Sequence, residues 1–375
     1  MLVVCVSHFL DEVALSHLSV YPGLIERLAA VCRIATPTFF LVSGIMIGYL
    51  CRTMGDRFNE FRLHLVDKAL FLLTAGHLFI AVATAGKSGL LEALGVGYVT
   101  DTLALCAMGS VLLIPRLSWR QRLYGGCALY CLCWFAWYFW KPTTPLLAVL
   151  QGMLLGPQAD GTEIFFFPIL PWVGIHLVGG CLGERLGRYP LEELYQRASR
   201  ELGTLAAGAV LVAAVVRTCY ELVIRFSPAS TSATLYQFAS PYQKYPPGPA
   251  YLLFFGGLAL LLISGMLYGT HRRWFQSSMR IAEIVGRNSL LAFLLQYVVY
   301  YAVLHWVVTK TNVLTPATAV LFLILSIWVL VAVIVRLDRC DVQRWWTVGL
   351  PGALKRWTFL RAPLRQDTRS HLGRV

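Results

Sequence analysis

His8 and Asp11 stand three residues apart, a spacing that puts both side chains on one face of a helix. A carboxylate so placed can take a hydrogen bond from one imidazole nitrogen. That fixes the tautomer and leaves the other nitrogen free to accept a proton. Such an imidazole can work as a general base or as a nucleophile that carries an acyl group; the plainer alternative is an interfacial histidine satisfied by water. Two proline-and-aromatic segments offer a setting for an acceptor. Phe167-Pro168-Ile169-Leu170-Pro171-Trp172 and Lys244-Tyr245-Pro246-Pro247-Gly248-Pro249 each lead into an apolar run. They read either as a stiff rim whose Trp172, Lys244 and Tyr245 meet a sugar, or as helix-start punctuation, since proline suits a first helical turn. Arg217, in or near the outer end of an apolar segment, joins the substrate-binding candidates, because an ionisable residue at membrane depth is costly. His77 and Asp101 should approach the same layer, and His176 follows Pro171-Trp172; each of these reads equally as a satisfied structural polar group.

The elements that must position these residues are apolar runs of membrane length. Hydrophobic residues make up 57% of the 375 and charged residues 14%, with mean hydropathy +0.64, against about 25% charged in soluble chains. So apolar a chain cannot cover its own surface in water. An all-α bundle of about ten transmembrane helices is expected, at roughly 1–20, 28–50, 68–85, 98–115, 121–140, 164–182, 202–222, 248–268, 284–306 and 315–336. Residues 1–336 form the membrane domain on this basis, and 337–375 a basic, Trp-containing tail, either an interfacial amphipathic segment or a disordered one.

The net charge of +13 lies between the apolar runs, which argues for topology rather than nucleic acid as its purpose. Of the 32 Lys and Arg, 24 fall in alternate linkers and the tail, among them Arg116, Arg120 and Arg122, then Arg185, Arg188, Arg197 and Arg200. The positive-inside rule puts those linkers and the C-terminus in the cytoplasm, with a multi-pass location in a cell inner membrane. The ten cysteines read as small apolar packing residues, with no metal-ligand spacing. Gly174 to Gly183 reads as close helix packing through small residues. His8 lies only about 12 Å along a helix from Met1. The inner half of the first helix is therefore expected to be absent, as after a start placed too far downstream or a truncation.

With these segments laid out, the chain resembles bacterial membrane acyltransferases of the heparan-alpha-glucosaminide N-acetyltransferase kind and, more distantly, the broad acyltransferase-3 family. Val3 to Asp11 is similar to the end of the family's first helix, and Ala35 to Gly44 to its second. Phe167 to Gly183, Lys244 to Pro247 and Val285 to Leu290 resemble three later family segments, in the same order. The resemblance implies transfer of an acyl group, usually acetyl, from acetyl-CoA to a hydroxyl or amine of a sugar or glycolipid across the membrane. His8 matches the catalytic histidine and Asp11 the acidic residue behind it. The family pattern departs at one place: the arginine about three helical turns before the histidine would fall ahead of Met1. The partners expected are the lipid bilayer, the sugar or glycolipid acceptor and, as a homodimer, a second copy of the chain. Two other classes stay open: a transporter or flippase, against which the lack of internal repeats counts, and a non-catalytic subunit of a polysaccharide export system.

Overall fold

The computed structural model describes residues 2–11, 22–156, 167–226, 232–272, 276–311 and 315–340. In chain order the helices are α1 (Leu2–Phe9), α2 (Pro22–Cys32), α3 (Ala35–Met54), α4 (Phe61–Ser88), α5 (Leu90–Gly95) and α6 (Val99–Leu113). They continue as α7 (Trp119–Phe139), α8 (Pro145–Leu154), α9 (Ile169–Leu186), α10 (Leu191–Phe226) and α11 (Ser232–Ala239). The last are α12 (Pro249–His271), α13 (Gln276–Arg287), α14 (Ser289–Lys310) and α15 (Pro316–Arg339). The fold is all-α and polytopic, as the sequence predicts.

Six helices among the described residues are long and apolar enough to cross a membrane; α6 and α8 are apolar but shorter. The expected ten is therefore not reproduced by length and apolarity. Two of the ten segments fall short for a physical reason. In α7, Arg120 and Arg122 with several Gly, Tyr and Trp dilute the apolar run, and α9 carries His176, Glu184 and Arg185 among its glycines. Of the expected first span only residues 2–11 lie within the described part, and of the tail only residues 337–340, which end α15.

The middle of the bundle is α9, whose apolarity is traded for closeness. A Cβ on Gly183 would sit 1.9 Å from the carbonyl oxygen of Ile45, and one on Gly48 would sit 2.1 Å from that of Gly180. Gly126 and Gly174 bring α7 against α9 in the same way. The glycine stripe thus packs helices as the sequence predicts. Where α9 meets α3 and α6, His176 is fully buried between Ser110 (2.6 Å) and Ser43 (3.0 Å), a structural polar knot. At the basic end, Arg122 donates to Glu184, and Arg185 holds Glu201 through two bonds of 2.9 Å, tying α7, α9 and α10 together.

A candidate active-site pocket

Seven segments converge on one cavity of about 370 Å³, at the end of the bundle where basic residues are few. α1 contributes His8 because its other face is fixed: Cys5 and Phe9 are buried against α14 and α15. α14 brings Tyr297 and Tyr301. A π-helical stretch, Val298–Leu304, interrupts the α-helix there, and such local widening is frequent at functional sites. The two tyrosine rings stack 5.3 Å apart, and both meet the His8 ring, at 5.1 and 5.0 Å.

The imidazole is held differently from the expectation. Its Nδ1 lies 2.5 Å from the Tyr301 hydroxyl, and no hydrogen bond joins it to Asp11 among the described residues. Asp11 still lines the pocket. The spacing of three gave the two residues a shared face, but a phenol from a distant helix reaches the ring nitrogen first. A phenol can donate or accept, so it can accompany either neutral tautomer.

Cations gather at the same cavity. Lys244 lies over the rings of Phe167 (5.2 Å) and Tyr245 (5.0 Å), Lys87 lies 4.6 Å from the Tyr301 ring centre, and Arg33 lines the wall. The loop carrying Lys244 is fixed from outside. Tyr130 and Trp134 of α7 both donate to the carbonyl of Pro247, at 2.7 and 3.1 Å, and Gln243 donates to that of Tyr245 at 2.8 Å. Burial pushes the Lys244 ammonium down to about 8, with Asp11 partly opposing. The same burial pushes the Tyr245 phenol well up.

Of the six candidates from the sequence, His8, Asp11, Lys244 and Tyr245 come together here. Trp172 does not. It is fully buried, stacked on Phe40 at 4.3 Å, and so offers no face to a sugar. Arg217 is elsewhere too: it pairs with Glu221 one turn along α10, lies over Tyr220 at 5.2 Å, and its side chain is 39% exposed. In a 36-residue helix a nearby carboxylate and the helix surface take the charge that the sequence suggested was buried. His77 and Asp101 do meet, at 2.9 Å, behind the pocket wall. Tyr297, Tyr301 and Lys87 were not foreseen. The only signal was a pair of tyrosines four apart in an apolar run, which reads as ordinary packing.

No curated protein matches this sequence, and no solved structure does. A family model described as OpgC protein matches residues 102–339, more than half of the chain, including Lys244, Tyr245, Tyr297 and Tyr301. That match agrees with the broad resemblance to membrane acyltransferases and does not bear on the narrower one to the heparan-alpha-glucosaminide N-acetyltransferase kind. The chain belongs to the OpgC protein family, an acyltransferase-like family of membrane proteins.

Proposed function

We propose that the protein is an integral membrane acyltransferase that moves an acyl group from a cytoplasmic acyl-CoA to a sugar hydroxyl or amine of an envelope glycan, with His8 as the reacting imidazole. The observation that carries this is the pocket itself, where an imidazole pinned at one nitrogen by Tyr301 shares a cavity with Asp11 and Lys244. An imidazole held at Nδ1 has only Nε2 left for chemistry, and its near-neutral proton affinity suits a base or a transient acyl carrier. In the base form of the reaction, the acceptor O–H gives its proton to Nε2 while its oxygen bonds to the acyl carbon. The C–S bond of the thioester breaks, and the leaving thiolate takes up a proton to become the free thiol.

The three cations around the cavity favour an acyl group that carries its own negative charge, such as succinyl, over acetyl. A transferase role in glucan modification accords with the family. The inner membrane, with the C-terminus on the cytoplasmic side, is the location proposed from the charge alternation.

The deciding experiment is reconstitution of the full chain with radiolabelled acetyl-CoA and succinyl-CoA and a glucan acceptor. Label should pass to the glucan, with succinyl preferred, and His8→Ala should abolish it. Transfer that survives His8→Ala would overturn the role of the imidazole. A chain that binds neither thioester would instead be a transporter or an export subunit.

A further inference from the structure

Among the described residues, His77 and Asp101 form a histidine–carboxylate pair, which His8 and Asp11 do not. Nδ1 of His77 lies 2.9 Å from Oδ2 of Asp101, and Nε2 lies 3.1 Å from the carbonyl oxygen of Leu94. A neutral imidazole has one donor and one acceptor nitrogen. The Leu94 carbonyl can only accept, so Nε2 carries a proton, and a second proton lies in the bond between Nδ1 and Oδ2. The same Oδ2 also accepts the backbone N–H of Tyr98 at 2.8 Å, closing the capping box at the start of α6. The other oxygen, Oδ1, is buried with no partner among the described residues.

The consequence lies in what the pair ties down. Residues 89–98 run as a hoop from α4 through α5 to α6. Leu94 is fastened by His77, Ala93 by the Tyr98 hydroxyl at 2.9 Å, and the Tyr98 backbone by Asp101. Val96, Gly97, Tyr98 and Val99 form one wall of the pocket. The Tyr98 ring meets Tyr297 edge-on at 6.1 Å, and Tyr297 meets His8. His77 itself follows directly on the π-helical stretch Leu72–Gly76 of α4. We propose that His77 and Asp101 are positioning residues, a hydrogen-bonded clip that sets the pocket wall facing His8 and thereby the fit of the acceptor. The part of this that concerns the acceptor rests on the acyl-transfer proposal; the clip itself does not.

The test uses the reconstituted full chain with Asp101→Asn and His77→Gln, each of which keeps one of the hydrogen bonds and loses another. Amide exchange in residues 89–98 should rise about tenfold, as for the loss of one buried hydrogen bond. KM for the acceptor should rise by a similar factor while kcat changes little. Nitrogen-15 signals should show Nε2 of His77 protonated in the wild type, and the Nδ1 signal should move in Asp101→Asn. His8→Ala should leave the exchange and the His77 signals unchanged while removing activity. An unprotonated Nε2 of His77 in the wild type, or unchanged exchange in both variants, would overturn the clip. A fall in kcat at constant KM would replace the positioning role with a chemical one. If no acyl transfer is found at all, exchange and the nitrogen signals still decide whether the clip exists.

Discussion

At Lys244 a single side chain combines charge, burial and a place in the cavity that holds His8. Its ammonium is pushed down to about 8 by burial, against about 10.4 in an unfolded chain. Folding therefore disfavours its proton. Between those two values the unfolded chain binds more protons, and stability rises with pH. Function should run the other way. If Lys244 attracts a negatively charged acyl group, affinity for succinyl-CoA is present below pH 8 and falls as pH rises through that value. Lys244→Arg should carry the affinity to higher pH, because a guanidinium does not titrate there. Lys244→Met should raise KM for succinyl-CoA about tenfold while leaving that for acetyl-CoA nearly unchanged, on the scale of one charge-assisted bond. Equal effects on the two donors would remove the charge argument.

Elements are positioned by what their residues lack as much as by what they carry. The approach of α3 to α9 depends on glycines at 44, 48, 179 and 183, where a side chain would meet backbone rather than a movable neighbour. Gly183→Leu should lower the melting temperature in detergent, with a cost at or above the about 1–3 kcal/mol typical of overpacked cores. Gly208→Leu in α10, where a Cβ meets nothing within 4 Å, should leave it unchanged. A similar melting point for both variants would mean that α3 and α9 are not in this contact. The same helices show why the number of spans was only partly legible. A period of apolar residues identifies a helix that faces lipid on most sides, but α9 buries glycine, proline and a histidine among neighbours. Its hydropathy reports its packing more than its depth.

For the molecule as a whole, the distribution of charge makes a claim about direction. Of the pocket residues, Thr36, Thr84, Val99, Phe167, Lys244 and Tyr245 lie at the ends of their elements away from the arginine-rich linkers, and the ion pairs of Arg122, Arg185 and Glu201 lie at the opposite end. Single cysteines placed at residue 120 or 197 should be labelled by impermeant maleimide only in inverted membranes, and one at residue 141 only in intact spheroplasts. The reverse pattern would put the pocket in the cytoplasm and exclude transfer across the bilayer.

By itself the sequence determined the membrane class, the helical character, the charge alternation and four residues of the pocket. These are properties of composition and short spacing, and a side chain's cost in lipid does not depend on which helix lies next to it. The partner of His8 was decided only by tertiary structure. Asp11 is three residues away and Tyr301 is 293, yet a π-helical stretch on α14 delivers the phenol to the ring nitrogen. Trp172 and Arg217 were settled the same way, one enclosed against Phe40 and the other neutralised by Glu221 on the helix surface. A residue's type limits the bonds it can make; which bond it makes depends on the packing that selects its neighbours.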